Sequence, residues 1–248
     1  MNHALAAEWT KLRSLRSTYW LLLVGAAVAV GLAVLITVGL GSGKVEVTDG
    51  TFDAAGISLF GVWFGQITFA VVGVLTMTSE YATGSIRTTL AAVPQRGRLL
   101  GAKLIAVGLI ALGIGLTISL AAFLLGQAVL AGQHRAVGLG DPGSARAVLS
   151  AGGYLTAMAL LGVALGALLR NTLAAVLTVL GLGLGSSLLG GLFPAWVRHH
   201  VFNYLPGPLG NRITATDPAP AVVDYVVLGA WVAGLALLAL VVIRRRDA

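Results

Sequence analysis

The sequence predicts an all-α, polytopic membrane protein that crosses the bilayer six times. Hydrophobic residues make up 57% of the 248 residues and charged residues only 10%, against roughly a quarter charged in a soluble domain. Apolar runs of about 20 residues, the length needed to cross a bilayer as a helix, recur six times along the chain. Many of the 34 glycines lie within these runs, which is typical of closely packed transmembrane helices.

The six runs form a single transmembrane domain over residues 1–248. The predicted spans are residues 19–40, 57–78, 104–130, 148–169, 172–192 and 222–243. Basic residues precede the first run as they would in a signal peptide, but the run is long for that role and five more follow, so we expect an uncleaved span. The last run contains the only charge within a span, Asp224 near one end.

The distribution of basic residues predicts the orientation of the chain. When alternate connections are assigned to opposite sides, 11 of the 16 basic residues fall on one side, and six of the nine acids fall on the other. The positive-inside rule makes the basic side cytoplasmic, together with both termini. The net charge of +7 therefore reports orientation and anionic lipid, and it does not predict nucleic-acid binding.

Residues that could carry out catalysis are scarce. The chain has no cysteine and four histidines, of which only His199 and His200 are adjacent, and these do not make the three or four converging ligands of a zinc site. The segment 39–45, "GLGSGKV", lacks the first glycine and the Ser or Thr of a phosphate-binding loop. Gln66 is the most central strongly polar side chain in the spans, and it fits helix-to-helix hydrogen bonding or contact with a substrate in a pathway. We expect Asp224 to be a water-exposed or interfacial carboxylate.

Three connections carry recognisable patterns. Before the first span, Trp9 and Leu12 share an apolar helical face flanked by Lys11 and Arg13, which predicts a helix lying in the inner-leaflet interface and contacting membrane lipids. The external connection, residues 193–221, mixes aromatic residues with prolines and predicts a partly re-entrant or interfacial cap. Between the fourth and fifth spans only residues 170–171 remain, so the two helices must be antiparallel neighbours.

The cytosolic connection 79–103 contains a short predicted helix. Ser85 can cap it, Ile86 and Leu90 recur on one apolar face beside Arg87, and Pro94 ends it. Three further cations, Arg96, Arg98 and Lys103, mark the return to the membrane. The pattern alone fits a lipid-binding loop and a docking element for a cytosolic partner equally well.

Three segments together resemble one known family. They are "EWTKLRSLRSTYW" at 8–20, "SEYATGSIRTTLAAVPQRGRLLGAK" at 79–103 and "LLRNTLAA" at 168–175. In sequence and order they resemble the permease subunits of type-2 ATP-binding-cassette (ABC) transporters, especially actinobacterial ones.

This resemblance implies a permease with no ATPase of its own, located in the bacterial inner membrane. Two permease chains, here a homodimer, would form the pathway, and two nucleotide-binding ATPase subunits that hold ATP and magnesium would dock from the cytosol. The resemblance places six residues in the ATPase-coupling segment: Glu80, Gly84, Ile86, Arg87, Leu90 and Pro94. It places four in the interfacial helix: Trp9, Lys11, Leu12 and Arg13.

The resemblance also favours export, and the apolar spans suit a drug, an antibiotic, a peptide or a lipid-like substrate without selecting one. Two alternatives stay open on the sequence. The chain could be a membrane scaffold or sensor subunit that binds a cytosolic partner without moving a substrate, or it could be a proton-coupled carrier. ATP-dependent movement of a substrate distinguishes the permease from both.

Overall fold

A computed structural model describes residues 16–41, 53–85, 96–132, 134–216 and 221–246. Within these ranges all regular structure is helical. The helices are α1 (Arg16–Gly41), α2 (Ala54–Leu59), α3 (Val62–Ala82), α4 (Arg96–Ala131), α5 (Ser144–Leu169), α6 (Thr172–Leu189), α7 (Ala195–His200), α8 (Pro206–Thr214) and α9 (Val222–Arg246), with 3₁₀ turns at Gly190–Leu192 and Phe202–Tyr204.

Five helical stretches among the described residues are long and apolar enough to cross a membrane. They are Trp20–Gly39, Ala54–Ala82, Gly97–Ala131, Ser144–Leu169 and Val222–Ile243. The predicted span 172–192 corresponds to α6, whose described apolar stretch Thr172–Gly185 is shorter. The prediction of an all-α, multi-pass membrane protein is confirmed.

The predicted span 57–78 differs from the structure because the helix is broken inside it. The chain forms α2, turns at Phe60 and Gly61, and continues as α3. A Cβ added at Gly61 would overlap the carbonyl oxygen of Ala29, so α1 crosses the break with its backbone in direct contact. Helical structure also begins earlier than predicted, because the Asp53 side chain caps α2 by accepting a hydrogen bond from the Gly56 N–H at 2.9 Å.

The centre of the molecule is the contact between α3 and α5. Most of the side chains of α5 are buried, from Ala147 near its start to Ala167 near its end. A Cβ at Gly162 would overlap the carbonyl oxygen of Ala70 on α3, and one at Gly73 on α3 would overlap that of Ala159. The two helices therefore pack backbone to backbone, as small-residue spacing permits in membranes.

Helix α4 extends beyond its predicted span at its N-terminal end. The span was predicted from residue 104, whereas the helix begins at Arg96. The additional residues include Arg98 and Lys103, whose side chains are good helix formers. At about 1.5 Å per residue, the extension carries α4 roughly 12 Å further than the hydropathy pattern indicates.

The described part of the cap that was predicted over residues 193–221 contains two α-helices, α7 and α8. None of the described side chains of α7 is buried, whereas α8 buries Leu209 and Ile213 completely. A Cβ at Gly207 would overlap the carbonyl oxygen of Gly183, six residues before the end of α6. Helix α8 thus packs alongside the membrane-crossing helices α5 and α9 and against α6. The re-entrant or interfacial character of the cap stays a prediction.

Candidate coupling site at the ends of α3 and α4

The structure describes part of the predicted coupling segment. Glu80 lies in the last turn of α3 and Gly84 just beyond it. The other predicted coupling residues, Ile86, Arg87, Leu90 and Pro94, lie outside the described residues. The same is true of the predicted interfacial residues Trp9, Lys11, Leu12 and Arg13.

Glu80 forms a buried ion pair with Lys103 at the base of this segment. The Lys103 Nζ atom lies 3.0 Å from Glu80 Oε1, and the two side chains are only 3% and 9% exposed. Lys103 also donates to the carbonyl oxygen of Thr76 at 3.2 Å. Thr76 and Glu80 are four residues apart, so they lie on the same face of α3 and meet one ammonium group.

This ion pair gives Lys103 a partner that the sequence analysis did not predict. The side chain crosses to α3 instead of reaching toward water or lipid headgroups. Removing two charges from water is costly, so a buried pair of this kind requires good geometry on both sides. The pair joins the helix that enters the segment 86–95 to the helix that leaves it.

A second contact at the same end joins α3 to the hairpin between α5 and α6. The guanidinium carbon of Arg170 lies 5.2 Å from the centre of the Tyr81 ring, within the range of a cation–π interaction. Arg170 ends α5 with a φ of 51°, and the Asn171 side chain caps α6 by accepting from the Ala174 N–H at 3.0 Å. The segments 79–103 and 168–175, far apart in sequence, therefore meet in the fold.

Gly84 directs the chain out of α3. Its φ of +70° lies in the left-handed region, which favours glycine after the end of a helix. The Gly84 N–H donates to the carbonyl oxygen of Tyr81 at 3.2 Å, and the hydroxyls of Thr83 and Ser85 lie 3.0 Å apart. The exit toward residue 86 is thus fixed by the backbone conformation and by local hydrogen bonds.

Gln66 lies away from this site, in the packed centre of the protein. Its side chain is fully buried, donates to the Trp63 carbonyl oxygen at 2.8 Å and accepts a hydrogen bond from the Tyr154 hydroxyl. The side-chain oxygen also lies close to the backbone of Gly183 on α6. These contacts are of the kind expected for helix-to-helix hydrogen bonding, the first of the two roles suggested for Gln66. The sequence analysis did not identify Tyr154 as its partner.

A second ion pair joins α8 to α9. Asp224 was expected to be water-exposed or interfacial, but it is 7% exposed and lies 2.9 Å from Arg212 Nη2. Arg212 belongs to α8 and also donates to the carbonyl oxygen of Asn203 at 2.7 Å. Near the end of α8, Arg146 donates to the carbonyl oxygens of Ala215 and Thr216. Both contacts tie the cap to the ends of α5 and α9.

The contacts around the C-terminal end of α3 and the N-terminal end of α4 hold helices together. Within the described parts of the chain, no group of three His, Asp or Glu side chains could hold a metal ion. What the site offers is a fixed base for the segment 86–95, with α3 joined to α4 by an ion pair and to the α5–α6 hairpin by a ring contact.

Comparison with known proteins agrees with this architecture. The family model described as "ABC-2 family transporter protein" matches residues 4–185, which include all three resembling segments. No curated protein matches the chain. Because the match extends over most of the 248 residues, the chain belongs to the ABC-2 transporter family, as a multi-pass membrane permease subunit of an ABC transporter.

Proposed function

We propose that this chain forms the substrate pathway of an ABC exporter and is driven by separate cytosolic ATPase subunits. Two copies of the chain would line the pathway in the bacterial inner membrane, with both termini cytoplasmic. ATP and magnesium would be held by the ATPase partner, and the permease would bind neither. The substrate would be a drug, an antibiotic, a peptide or a lipid-like molecule, since the spans are apolar.

The observation that carries this proposal is the buried Glu80–Lys103 pair at the base of the coupling segment. If the two helices that flank this segment were not joined, movement of the segment by a partner would not be transmitted to them. Here the two flanking helices are joined by charges 3.0 Å apart, so a displacement of the segment is passed to both. The contact of Tyr81 with Arg170 extends the same displacement to α5 and α6.

The packing of α3 against α5 continues this path into the membrane. Gly162 and Gly73 bring the two backbones into contact, and close-packed helices transmit displacement because they cannot be compressed. Closure of two ATPase subunits around ATP would thereby shift the inner ends of α3, α4 and α5 together. Hydrolysis of ATP in the partner would then reset the cycle.

The proposed docking surface is the small apolar face of Ile86 and Leu90 with Arg87 beside it. Such a face suits a groove on a cytosolic ATPase, in the way that a short amphipathic helix binds a partner. The interfacial helix around Trp9, Lys11, Leu12 and Arg13 would lie in the inner leaflet next to this surface.

Affinity purification of the intact protein in mild detergent tests the proposal. The wild-type chain is expected to retain a stoichiometric cytosolic ATPase, and Ile86→Asp or Arg87→Glu should lose it while inserting normally. The matched control is Arg198→Glu, which reverses one charge on an exposed residue of the external cap and should leave the ATPase bound. Retention of the ATPase by all three variants would contradict the proposed docking surface.

A further inference from the structure

A cavity of about 420 Å³ lies near the external ends of the helices. Its volume falls within the roughly 300–1,000 Å³ typical of small-molecule sites. It lies between α2 and the start of α3 on one side and α8 on the other, with α5 at its back. The lining residues that matter for recognition are Asp53, Phe60, Trp63, Tyr154, Asn211 and Thr214.

Among the described residues that line the cavity, Asp53 alone is charged. One carboxylate oxygen caps α2 through the Gly56 N–H at 2.9 Å, and the other accepts from the Thr216 N–H at 3.4 Å. Neither hydrogen bond neutralises the charge, and no Lys or Arg among the described residues forms an ion pair with it. In contrast, the carboxylates of Glu80 and Asp224 are both paired with cations.

Aromatic rings supply the other wall of the cavity. Phe60 and Trp63 pack with their ring centres 6.4 Å apart, and the Tyr154 ring closes the inner end next to Gly210. The faces of aromatic rings carry partial negative charge and attract organic cations. The nearby cation Arg146 donates a hydrogen bond to the carbonyl oxygen of Thr216, but Arg146 is not among the residues that line the cavity.

We propose that this cavity binds an amphipathic organic cation. The positive centre would lie against the Asp53 carboxylate, and the apolar body would pack on Phe60 and Trp63. An anion would be repelled by the Asp53 carboxylate, and an uncharged molecule would gain no charge attraction from it. As a statement of substrate class this inference rests on the proposed export function, whereas binding itself requires only the permease.

Equilibrium binding of tetraphenylphosphonium to the purified permease, without ATPase and in nanodiscs of zwitterionic lipid, tests the proposal. Asp53→Asn removes the charge and keeps the helix cap, because asparagine caps helices as well as aspartate does. It is expected to weaken binding about tenfold, the effect of losing one favourable charge contact worth about 1.4 kcal/mol. Uncharged triphenylphosphine oxide should bind weakly and equally to both proteins.

Two further variants control for charge and for folding. Asp141→Asn makes the same charge change at an exposed residue outside the cavity and should leave binding unchanged. Asn211→Lys places an ammonium group within the cavity, where it would pair with Asp53, and should also weaken binding of the cation. Because Asn211 is exposed, this substitution does not require a charge to be buried.

Equal binding of tetraphenylphosphonium to the wild type, Asp53→Asn and Asn211→Lys would overturn the proposal. So would an equal loss in Asp53→Asn and Asp141→Asn, which would show a general effect of surface charge. Failure of the proposed export function would be recognised separately, as the absence of a co-purifying ATPase, and it would leave the binding result intact.

Discussion

Lys103→Met removes the ammonium group from the ion pair with Glu80 at the base of the proposed coupling segment. The methionine has a similar length and shape, so the change tests charge with little effect on packing. The Glu80 side chain is 9% exposed, which means that water cannot readily replace the lost partner. Breaking a buried pair by removing one side typically costs about 3–5 kcal/mol, and we expect the free energy of unfolding to fall by that amount.

The assay is reversible unfolding of the purified protein by dodecyl sulfate in mixed micelles, followed by tryptophan fluorescence. A double-mutant cycle with Glu80→Gln isolates the energy of the pair from other effects of each substitution. The double variant is expected to be more stable than the sum of the single losses implies, with a coupling energy of about 1–3 kcal/mol.

Two results would refute this reasoning. If Lys103→Met lowers the free energy of unfolding by less than about 1 kcal/mol, the pair behaves like an exposed salt bridge and water reaches it. If the coupling energy between Glu80 and Lys103 is close to zero, the two charges do not interact in the folded protein.

The same unfolding assay checks three further predictions. Gly162→Ala should lower the free energy of unfolding by about 1–3 kcal/mol, because the added methyl group would overlap the backbone of α3. The control is Gly153→Ala on the same helix, where the methyl group has open space and the free energy of unfolding should change by less than about 1 kcal/mol. Tyr154→Phe removes the donor to Gln66 and should cost about 0.5–2 kcal/mol, and a value near zero would show that the hydrogen bond is replaced by water. Arg170→Ala should lower the free energy of unfolding by about 0.5–1 kcal/mol, because the cation–π contact with the Tyr81 ring is lost. Arg170→Lys keeps a cation at this position and should lower it by less.

Hydropathy predicted the membrane-crossing helices because a helix in a bilayer must satisfy every backbone hydrogen bond within itself. A run of about 20 apolar residues therefore has one viable structure, and the described parts of the predicted spans are helical except for the turn at Phe60 and Gly61. The break at Phe60 and Gly61 escaped prediction because both residues are apolar. Only the crossing of Ala29 against Gly61, a contact between distant parts of the chain, shows why a bend is placed there.

The charged contacts were harder to predict than the spans. Glu80 and Lys103 are 23 residues apart, and Arg212 and Asp224 face each other across the junction of α8 and α9. Pairing of this kind depends on how two helices are rotated relative to each other. The hydrophobic periodicity of one helix does not determine that rotation. One signal in the sequence could have predicted this pair. Glu80 and Lys103 carry opposite charges and lie at the two ends of the same polar connection.

The coupling residues themselves illustrate a different limit. Ile86, Leu90 and Arg87 were assigned through a resemblance, and their role stays a prediction. The structure contributes the surroundings of this segment, namely the exit at Gly84 and the ion pair beneath it. The proposed docking role of this segment is therefore tested by measuring whether it contacts a partner protein.

Site-specific photocrosslinking in intact cells tests the central claim most directly. A photoreactive phenylalanine analogue would replace Ser85, next to the proposed docking surface, or Asp141, an exposed residue on the predicted external side. The proposed function predicts a covalent adduct with a cytosolic ATPase from position 85 and none from position 141. Absence of an ATPase adduct at position 85, in cells where the protein is inserted and folded, would contradict the coupling role.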